Sequence, residues 1–143
     1  MGTTHGTVHW SELMTRDVAA SRAYYEAVCG WVWEVAEMPE GPYHLAMAHG
    51  QPVAGMMDMT GMPEFEGVPA HWFTYLAVDD IDAALAAVTA KGGEVMRPTF
   101  DVPEVGSIAI VRDAGGAALG LMKPTPTWEG AEGDAAVMEN APV

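Results

Sequence analysis

Two similar stretches decide the fold: LMTRDVAA at residues 13–20 and LAVDDIDA at residues 76–83. A second pair, AGMM at residues 54–57 and LGLM at residues 119–122, follows at nearly the same offset. Similarity repeated at one spacing is typical of a chain built from copies of a single structural unit. The sequence therefore indicates two related halves, with small insertions or deletions between them.

Each half begins with a strand and a helix. Residues of alternating character precede Asp17 and Asp80, which is the pattern of a strand with two distinct faces. The aspartates suit the N-terminus of a helix, where a carboxylate accepts hydrogen bonds from free N–H groups. Alanine-rich helices are predicted to follow as far as about Val28 and Ala90, and Gly30 or the glycine pair after Lys91 ends them.

Three further strands complete each half. They are rich in β-branched and aromatic residues and are separated by stretches rich in glycine and proline. The predicted strands cover residues 31–37, 43–48 and 53–59 in the first half, and residues 94–100, 106–111 and 117–122 in the second.

The predicted architecture is one α+β domain over residues 1–123. It consists of a first βαβββ module at about 5–60, a linker at 61–70 and a second module at about 71–123. Residues 124–143 contain proline, glycine, alanine and acidic residues but no basic residue, so we expect a flexible acidic tail there.

Charge and composition exclude several classes of function. The chain has 20 acidic and 6 basic residues, a formal net charge of −14, which disfavours nucleic acids and anionic membrane surfaces as partners. No apolar run is long enough to span a bilayer, and the N-terminus does not resemble a secretion signal. The single cysteine, Cys29, forms no internal disulfide, so we expect a cytoplasmic protein.

The duplicated unit resembles the vicinal oxygen chelate superfamily, which includes glyoxalase I, extradiol dioxygenases, epimerases, and fosfomycin- and bleomycin-resistance proteins. The likeness covers residues 7–123 and depends on short motifs in the correct order, among them Tyr24-Tyr25 before Gly30-Trp31, and VDDID at residues 78–82. The opening WSEL at residues 10–13 also resembles an uncharacterised glyoxalase-like subgroup. The resemblance implies an open eight-stranded cup with the helices outside, and often a homodimer.

The same resemblance implies a divalent metal in the cup of the members that catalyse reactions. His or Gln from the first strand and Glu from the last strand of each module would bind it. The corresponding positions in this sequence hold Trp10, Phe73, Gly55 and Gly120. None of these side chains can coordinate a metal, so we expect no metal site and no cofactor.

An alternative register leaves a metal site open. A one-residue bulge in the first strand would turn His9 inward in place of Trp10. His9, His71 and Glu12 would then supply a non-standard set of ligands, although the last predicted strand contributes no carboxylate.

Aromatic and sulfur-containing residues are predicted to line the cup. Glu12 would lie on its inner face, where partial burial raises the pKa of a carboxyl group toward the range useful for acid–base chemistry. His71 could be the complementary proton donor or acceptor. Tentative catalytic residues are therefore Glu12 and His71, and predicted ligand-binding residues are Trp10, Met14, Met57, Phe73, Tyr75 and Met122.

Three functions fit these features. The first is a metal-free binding protein of the bleomycin-resistance type, with a small apolar or cationic-aromatic ligand held by aromatic faces. The second is a lyase, isomerase or dioxygenase-type enzyme that uses Glu12 and His71, with or without a metal. The third is an accessory subunit whose cup is filled by its own side chains.

Overall fold

The computed structural model describes residues 4–38, 41–103 and 105–125, in which one unit of strand, helix and three strands occurs twice. The first unit is followed by a short 3-10 helix, Pro63–Phe65, which precedes the second unit. The elements are β1 (Val8–Thr15), α1 (Val18–Cys29), β2 (Val32–Met38), β3 (Gly41–Ala48), β4 (Gln51–Asp58), β5 (His71–Ala77), α2 (Ile81–Ala90), β6 (Glu94–Val102), β7 (Gly106–Arg112) and β8 (Ala118–Pro124).

All eight strands form one open sheet in the order β2-β3-β4-β1-β5-β8-β7-β6. The two modules join where β1 pairs antiparallel with β5. Within each module the first and last strands pair in parallel, β1 with β4 and β5 with β8. The fold is therefore α+β with two tandem βαβββ modules in an open sheet, as the sequence predicts.

Both helices begin and end as the repeat predicts. The carboxylate of Asp17 accepts a hydrogen bond of 2.9 Å from the amide of Ala20, and Asp80 accepts one of 3.0 Å from the amide of Ala83. Gly30 ends α1 in the left-handed conformation, with φ of 73°, which a glycine adopts without steric cost. Equivalent aspartates thus start equivalent helices.

The two faces of the sheet carry separate apolar clusters. On the helix face, Leu13 and Met56 of the strands pack with Val18 and Tyr25 of α1. The opposite face, which we call the cup face, carries Trp10 together with residues of both modules. Successive residues of a strand point to opposite faces, so the helices leave the cup face uncovered.

The last strand extends one residue into the predicted tail, because β8 ends at Pro124. Thr125 continues the contact through a backbone hydrogen bond of 3.1 Å to the carbonyl oxygen of Val105. The rest of the predicted tail, residues 126–143, lies outside the described residues. Neither helix in the described part of the chain is long and apolar enough to cross a membrane.

Candidate functional site

The floor of the cup is a buried cluster of aromatic and aliphatic side chains from both modules. Trp10 of β1, Tyr43 of β3 and Tyr75 of β5 are 4%, 3% and 7% exposed. The indole Nε1 of Trp10 donates a buried hydrogen bond of 2.9 Å to the hydroxyl oxygen of Tyr43. The floor also contains Leu45, Met47, Val105, Ile108 and Met122.

Two glycines make room for the two floor tyrosines. Gly55 lies beside Glu12 in the β1–β4 register, and a methyl group on Gly55 would overlap the hydroxyl end of the Tyr43 ring. Gly120 lies beside Tyr75 in the equivalent β5–β8 register, and a methyl group there would overlap the Tyr75 ring. Glycine inside a strand commonly marks such a close approach. Each half therefore seats a tyrosine ring over a strand glycine, although Tyr43 comes from β3 and Tyr75 from the non-equivalent strand β5.

The residues present do not fit the metal that the resemblance implies. Trp10 lies in the floor, Phe73 carries no donor atom, and the space above Gly55 and Gly120 contains tyrosine rings. Nowhere in the described ranges do three His, Cys, Asp or Glu side chains come close enough to hold a metal ion. The floor provides apolar packing where coordination would require converging donor atoms.

A bulge is present in β1, but it does not produce the alternative register. The pairing of β1 with β5 shifts between Val8 and Trp10. Trp10 nevertheless remains in the floor and is hydrogen-bonded there. His9 is only partly buried, and burial lowers the pKa of its imidazole. The bulge therefore does not replace Trp10 with His9 on the cup face.

Glu12 is a carboxyl group enclosed by the floor. It is 1% exposed, and neither Oε atom has a hydrogen-bond partner of normal geometry among the described residues. Burial raises the pKa of Glu12 from 4.5 to about 8, and the nearby hydroxyl groups of Tyr75 and Tyr43 oppose this rise only partly. Burial likewise raises the pKa of Tyr75 well above its ordinary value. Glu12 is therefore mainly protonated, and uncharged, at neutral pH.

His71 lies on the same face but is not joined to Glu12. It pairs with Met14 across β1 and β5, whereas Glu12 pairs with Phe73. The Nδ1 atom of His71 is 2.8 Å from the carbonyl oxygen of Pro69, and its ring contacts Phe73 edge to face. The described structure thus shows no hydrogen bond or ion pair between the two tentative catalytic residues.

The predicted ligand-binding residues fall into two layers. Trp10, Met14, Tyr75 and Met122 are at most 7% exposed. Phe73 and Met57 are only partly buried and pack on the floor from the open side. Partly buried Ala36, Met38, Phe100, Val102 and Ile110 also pack on the floor. A ligand on the cup face would meet this second layer, which we call the upper layer, before the floor.

Sequence reasoning missed three residues of the cup face. Tyr43 faces Glu12 and Gly55, Phe100 belongs to the upper layer, and the guanidinium of Arg97 lies 3.6 Å above the Phe100 ring. Glycine at the expected ligand positions was the available signal, because a missing side chain in a strand implies a neighbour that occupies its space. The identity of that neighbour depends on strand pairing.

A second concavity lies at the linker, outside the cup. It has a volume of about 570 Å³ and is bounded by Arg16, Met59 and the segment between Gly61 and Pro69. The guanidinium of Arg16 donates hydrogen bonds to the carbonyl oxygens of Phe65 and Val68. Arg16 therefore fixes the linker through these carbonyl oxygens.

Because a methyl group on Gly55 would overlap the Tyr43 ring, we expect the effects of substitutions at these two residues on the free energy of unfolding to be coupled. Gly55→Ala should destabilise the fold by about 1–3 kcal/mol because the added methyl group overpacks the floor. In a Tyr43→Leu background, which lacks the overlapping ring atoms, the same substitution should cost much less. Urea denaturation of the two single variants and the double variant measures the coupling.

Gly115→Ala is the matched control for this cycle. Gly115 is exposed in a turn, where an added methyl group meets only the Asp113 side chain at an ordinary 3.6 Å. We expect little change in the free energy of unfolding. Equal costs of Gly55→Ala with and without the Tyr43 ring would show that the ring does not occupy that space.

The raised pKa of Glu12 predicts a specific pH dependence of stability. Between about pH 4.5 and pH 8 the folded protein retains a proton that the unfolded chain has released. Protonation of Glu12 therefore stabilises the fold below about pH 4.5, and this stabilisation is lost as the pH rises toward 8, with a slope of up to about 1.4 kcal/mol per pH unit.

Glu12→Gln should remove this slope, so that its stability relative to the wild type increases with pH. Urea denaturation of both proteins from about pH 5 to about pH 9 isolates the contribution of Glu12 from the other ionisable groups. Parallel stability curves for the two proteins would contradict a buried, protonated Glu12.

Comparisons with known proteins agree with this architecture. The family model for the Glyoxalase/Bleomycin resistance protein/Dioxygenase superfamily matches residues 7–121. The methylmalonyl-CoA epimerase of Mycobacterium tuberculosis has the same fold, with a TM-score of 0.61 at 16% identity over 92% of this chain and 97% of the epimerase. The epimerase of Streptomyces coelicolor gives a TM-score of 0.62 at 14% identity, over 86% of this chain and 99% of the other.

Two sequence relatives are considerably longer than this chain. CFP32 of Mycobacterium tuberculosis, provisionally named a glyoxylase, is 40% identical over 119 residues, which are 81% of this chain and 45% of CFP32. The anthracycline biosynthesis protein DnrV of Streptomyces peucetius is 33% identical over 138 residues, covering 89% of this chain and 50% of DnrV. The chain thus spans about half of each relative, and by its family match and these identities it belongs to the Glyoxalase/Bleomycin resistance protein/Dioxygenase superfamily.

Proposed function

We propose that the protein binds a small, largely apolar aromatic molecule on the cup face without a metal ion. The observation that carries this proposal is the upper layer of partly exposed aromatic and thioether side chains over a filled floor. Phe73, Phe100, Met38 and Met57 provide apolar surface that is not covered by the helices. Aromatic faces stack on planar ligands, and flexible methionines adapt to their outline.

The absence of donors at the expected ligand positions supports the metal-free part of this proposal. Trp10 and Phe73 add apolar surface, while the two glycines admit tyrosine rings. Because aromatic packing replaces coordination at every position, the cup retains its shape without an ion. Binding and orientation would then come from stacking and from polar groups at the edge of the layer.

The names of relatives support an aromatic ligand. The superfamily name includes bleomycin-resistance proteins, and DnrV and its counterpart DauV of a Streptomyces strain are named anthracycline biosynthesis proteins. Anthracyclines are aromatic compounds. We extend to this chain only the class of ligand that these names suggest, a planar aromatic molecule.

The charge state of Glu12 favours an apolar ligand over the cationic-aromatic ligand that the sequence also suggests. The net charge of −14 attracts cations over long distances. At the floor, however, protonated Glu12 offers no negative charge at neutral pH. A cation would gain an ion pair with Glu12 only if Glu12 lost its proton, and this cost favours an uncharged ligand at the floor.

Binding is tested with a neutral probe and two neighbouring residues of β5. Phe73→Ala should weaken the binding of 2-naphthalenemethanol about tenfold, because it removes a stacking surface from the upper layer. Trp72→Ala is the matched control, since Trp72 lies on the helix face and donates a hydrogen bond of 3.2 Å to the hydroxyl of Tyr25. Isothermal titration calorimetry measures both affinities.

The two variants separate cup binding from non-specific binding. We expect Trp72→Ala to retain the affinity of the wild-type protein, provided that circular dichroism shows it to be folded. Equal affinities of Phe73→Ala and the wild type, or a loss confined to Trp72→Ala, would place the bound probe elsewhere and overturn the proposal.

Proton transfer is the second candidate function, and the raised pKa of Glu12 favours it. A carboxyl group with a pKa of about 8 is suited to donate or accept a proton near neutral pH. Glu12 is enclosed and His71 is held by Pro69, so the pair that the sequence suggested is not assembled. Catalysis would require a ligand to displace part of the floor and reach Glu12.

Hydrogen exchange distinguishes an enzyme from a binding protein. A carbonyl compound that binds to the cup is incubated with the protein in deuterium oxide, and deuterium incorporation is followed by NMR. Exchange that depends on the wild-type protein and is absent with Glu12→Gln would support catalysis by Glu12. Equal slow exchange with both proteins is the result expected for binding alone.

A further inference from the structure

Arg97 lies on the cup face at the outer strand of the second module. In the β6–β7 register it is directly opposite Ile110, which packs on the floor cluster. Directly opposed residues of an antiparallel pair share one face of the sheet. The contact with Phe100, another residue of the upper layer, independently places the guanidinium on this face. The β6–β7 register and the contact with the Phe100 ring therefore both place Arg97 on the cup face.

The guanidinium of Arg97 stacks on an aromatic ring, and it has no carboxylate partner in the described part of the chain. Its Cζ atom lies 3.6 Å from the centre of the Phe100 ring. By contrast, Arg112 forms an ion pair of 3.3 Å with Glu94, and Arg16 is bound to linker carbonyls. Stacking uses the flat face of a guanidinium and leaves its in-plane N–H donors for a planar acceptor.

Among the described residues, Arg97 forms no ion pair with the other ionisable groups of the cup face. Protonated Glu12 is uncharged, and Arg112 is already paired with Glu94. Glu34, opposite Leu45 of the floor, belongs to β2 at the other edge of the sheet. Arg97 also lowers the pKa of Tyr75, although burial outweighs this effect, so its field reaches the floor.

We propose that Arg97 determines ligand specificity by binding the carboxylate of an aromatic acid whose ring lies on the upper layer beside Phe100 and Phe73. This inference rests on the proposed binding function and selects an acid from the class of apolar aromatic ligands. A carboxylate matches the planar donor fork of arginine. A phosphate dianion also matches this fork, but a chain with a net charge of −14 repels a dianion more strongly than a carboxylate.

Three probes that share one ring system test the proposal. They are 2-naphthoate, neutral 2-naphthalenemethanol and 2-naphthylmethylammonium, titrated calorimetrically at neutral pH and low salt. The wild-type protein should bind the carboxylate about tenfold more tightly than the alcohol, because a charge-assisted hydrogen bond adds to the shared stacking. It should bind the ammonium compound most weakly.

Two variants assign this preference to Arg97. Arg97→Gln should lose the preference for the carboxylate and retain the affinity for the alcohol, while Arg97→Lys should retain part of the preference. Glu34→Gln is the matched charge control and should keep the order of the three affinities. Arg97 is exposed, so these variants should fold, which circular dichroism verifies.

The outcomes separate this inference from the proposed function. Equal binding of carboxylate and alcohol, a preference for the ammonium compound, or a carboxylate preference that survives in Arg97→Gln would overturn the role of Arg97 and leave cup binding intact. Failure of all three probes to bind wild-type protein would count against the proposed function, and the inference would fall with it.

Discussion

The packing of two tyrosine rings against two strand glycines determines the properties of the cup. Tyr43 occupies the space that a side chain at Gly55 would need, and Tyr75 does the same at Gly120. Both rings are nearly completely buried, so the centre of the sheet is filled from within the protein. Protein interiors are close-packed, and this arrangement leaves aromatic contacts at the positions where the resemblance to the superfamily implies metal ligands.

The filled floor also determines the electrostatics. Glu12 is surrounded by aromatic side chains and loses its hydration, which raises its pKa to about 8. The cup face is therefore uncharged at its centre, with Arg97 as a cation toward one edge. A ligand that complements such a surface is flat and apolar with a negative end. The cationic ligand that the sequence suggests would instead be repelled by Arg97 where it approaches the upper layer.

Much of the fold follows from the sequence because the repeat is explicit. Asp17 and Asp80 predict two equivalent helix starts, and alternation before each aspartate predicts which residues share the face of Trp10 and Phe73. The site was harder to predict because its contacts join strands that are distant along the chain. Tyr43 meets Glu12 only through the β3–β4–β1 order. Arg97 and Phe100 belong to one strand, but two register shifts in β6 change which of its residues share a face. Self-association and a cytoplasmic location stay predictions.

Anomalous diffraction from crystals grown with excess manganese chloride tests the filled floor most directly. We expect the rings of Tyr43 and Tyr75 to lie over Gly55 and Gly120, with no manganese peak within bonding distance of a cup-face side chain. A manganese ion coordinated by side chains of the cup face, with either ring displaced from its glycine, would contradict the filled floor and the metal-free function derived from it.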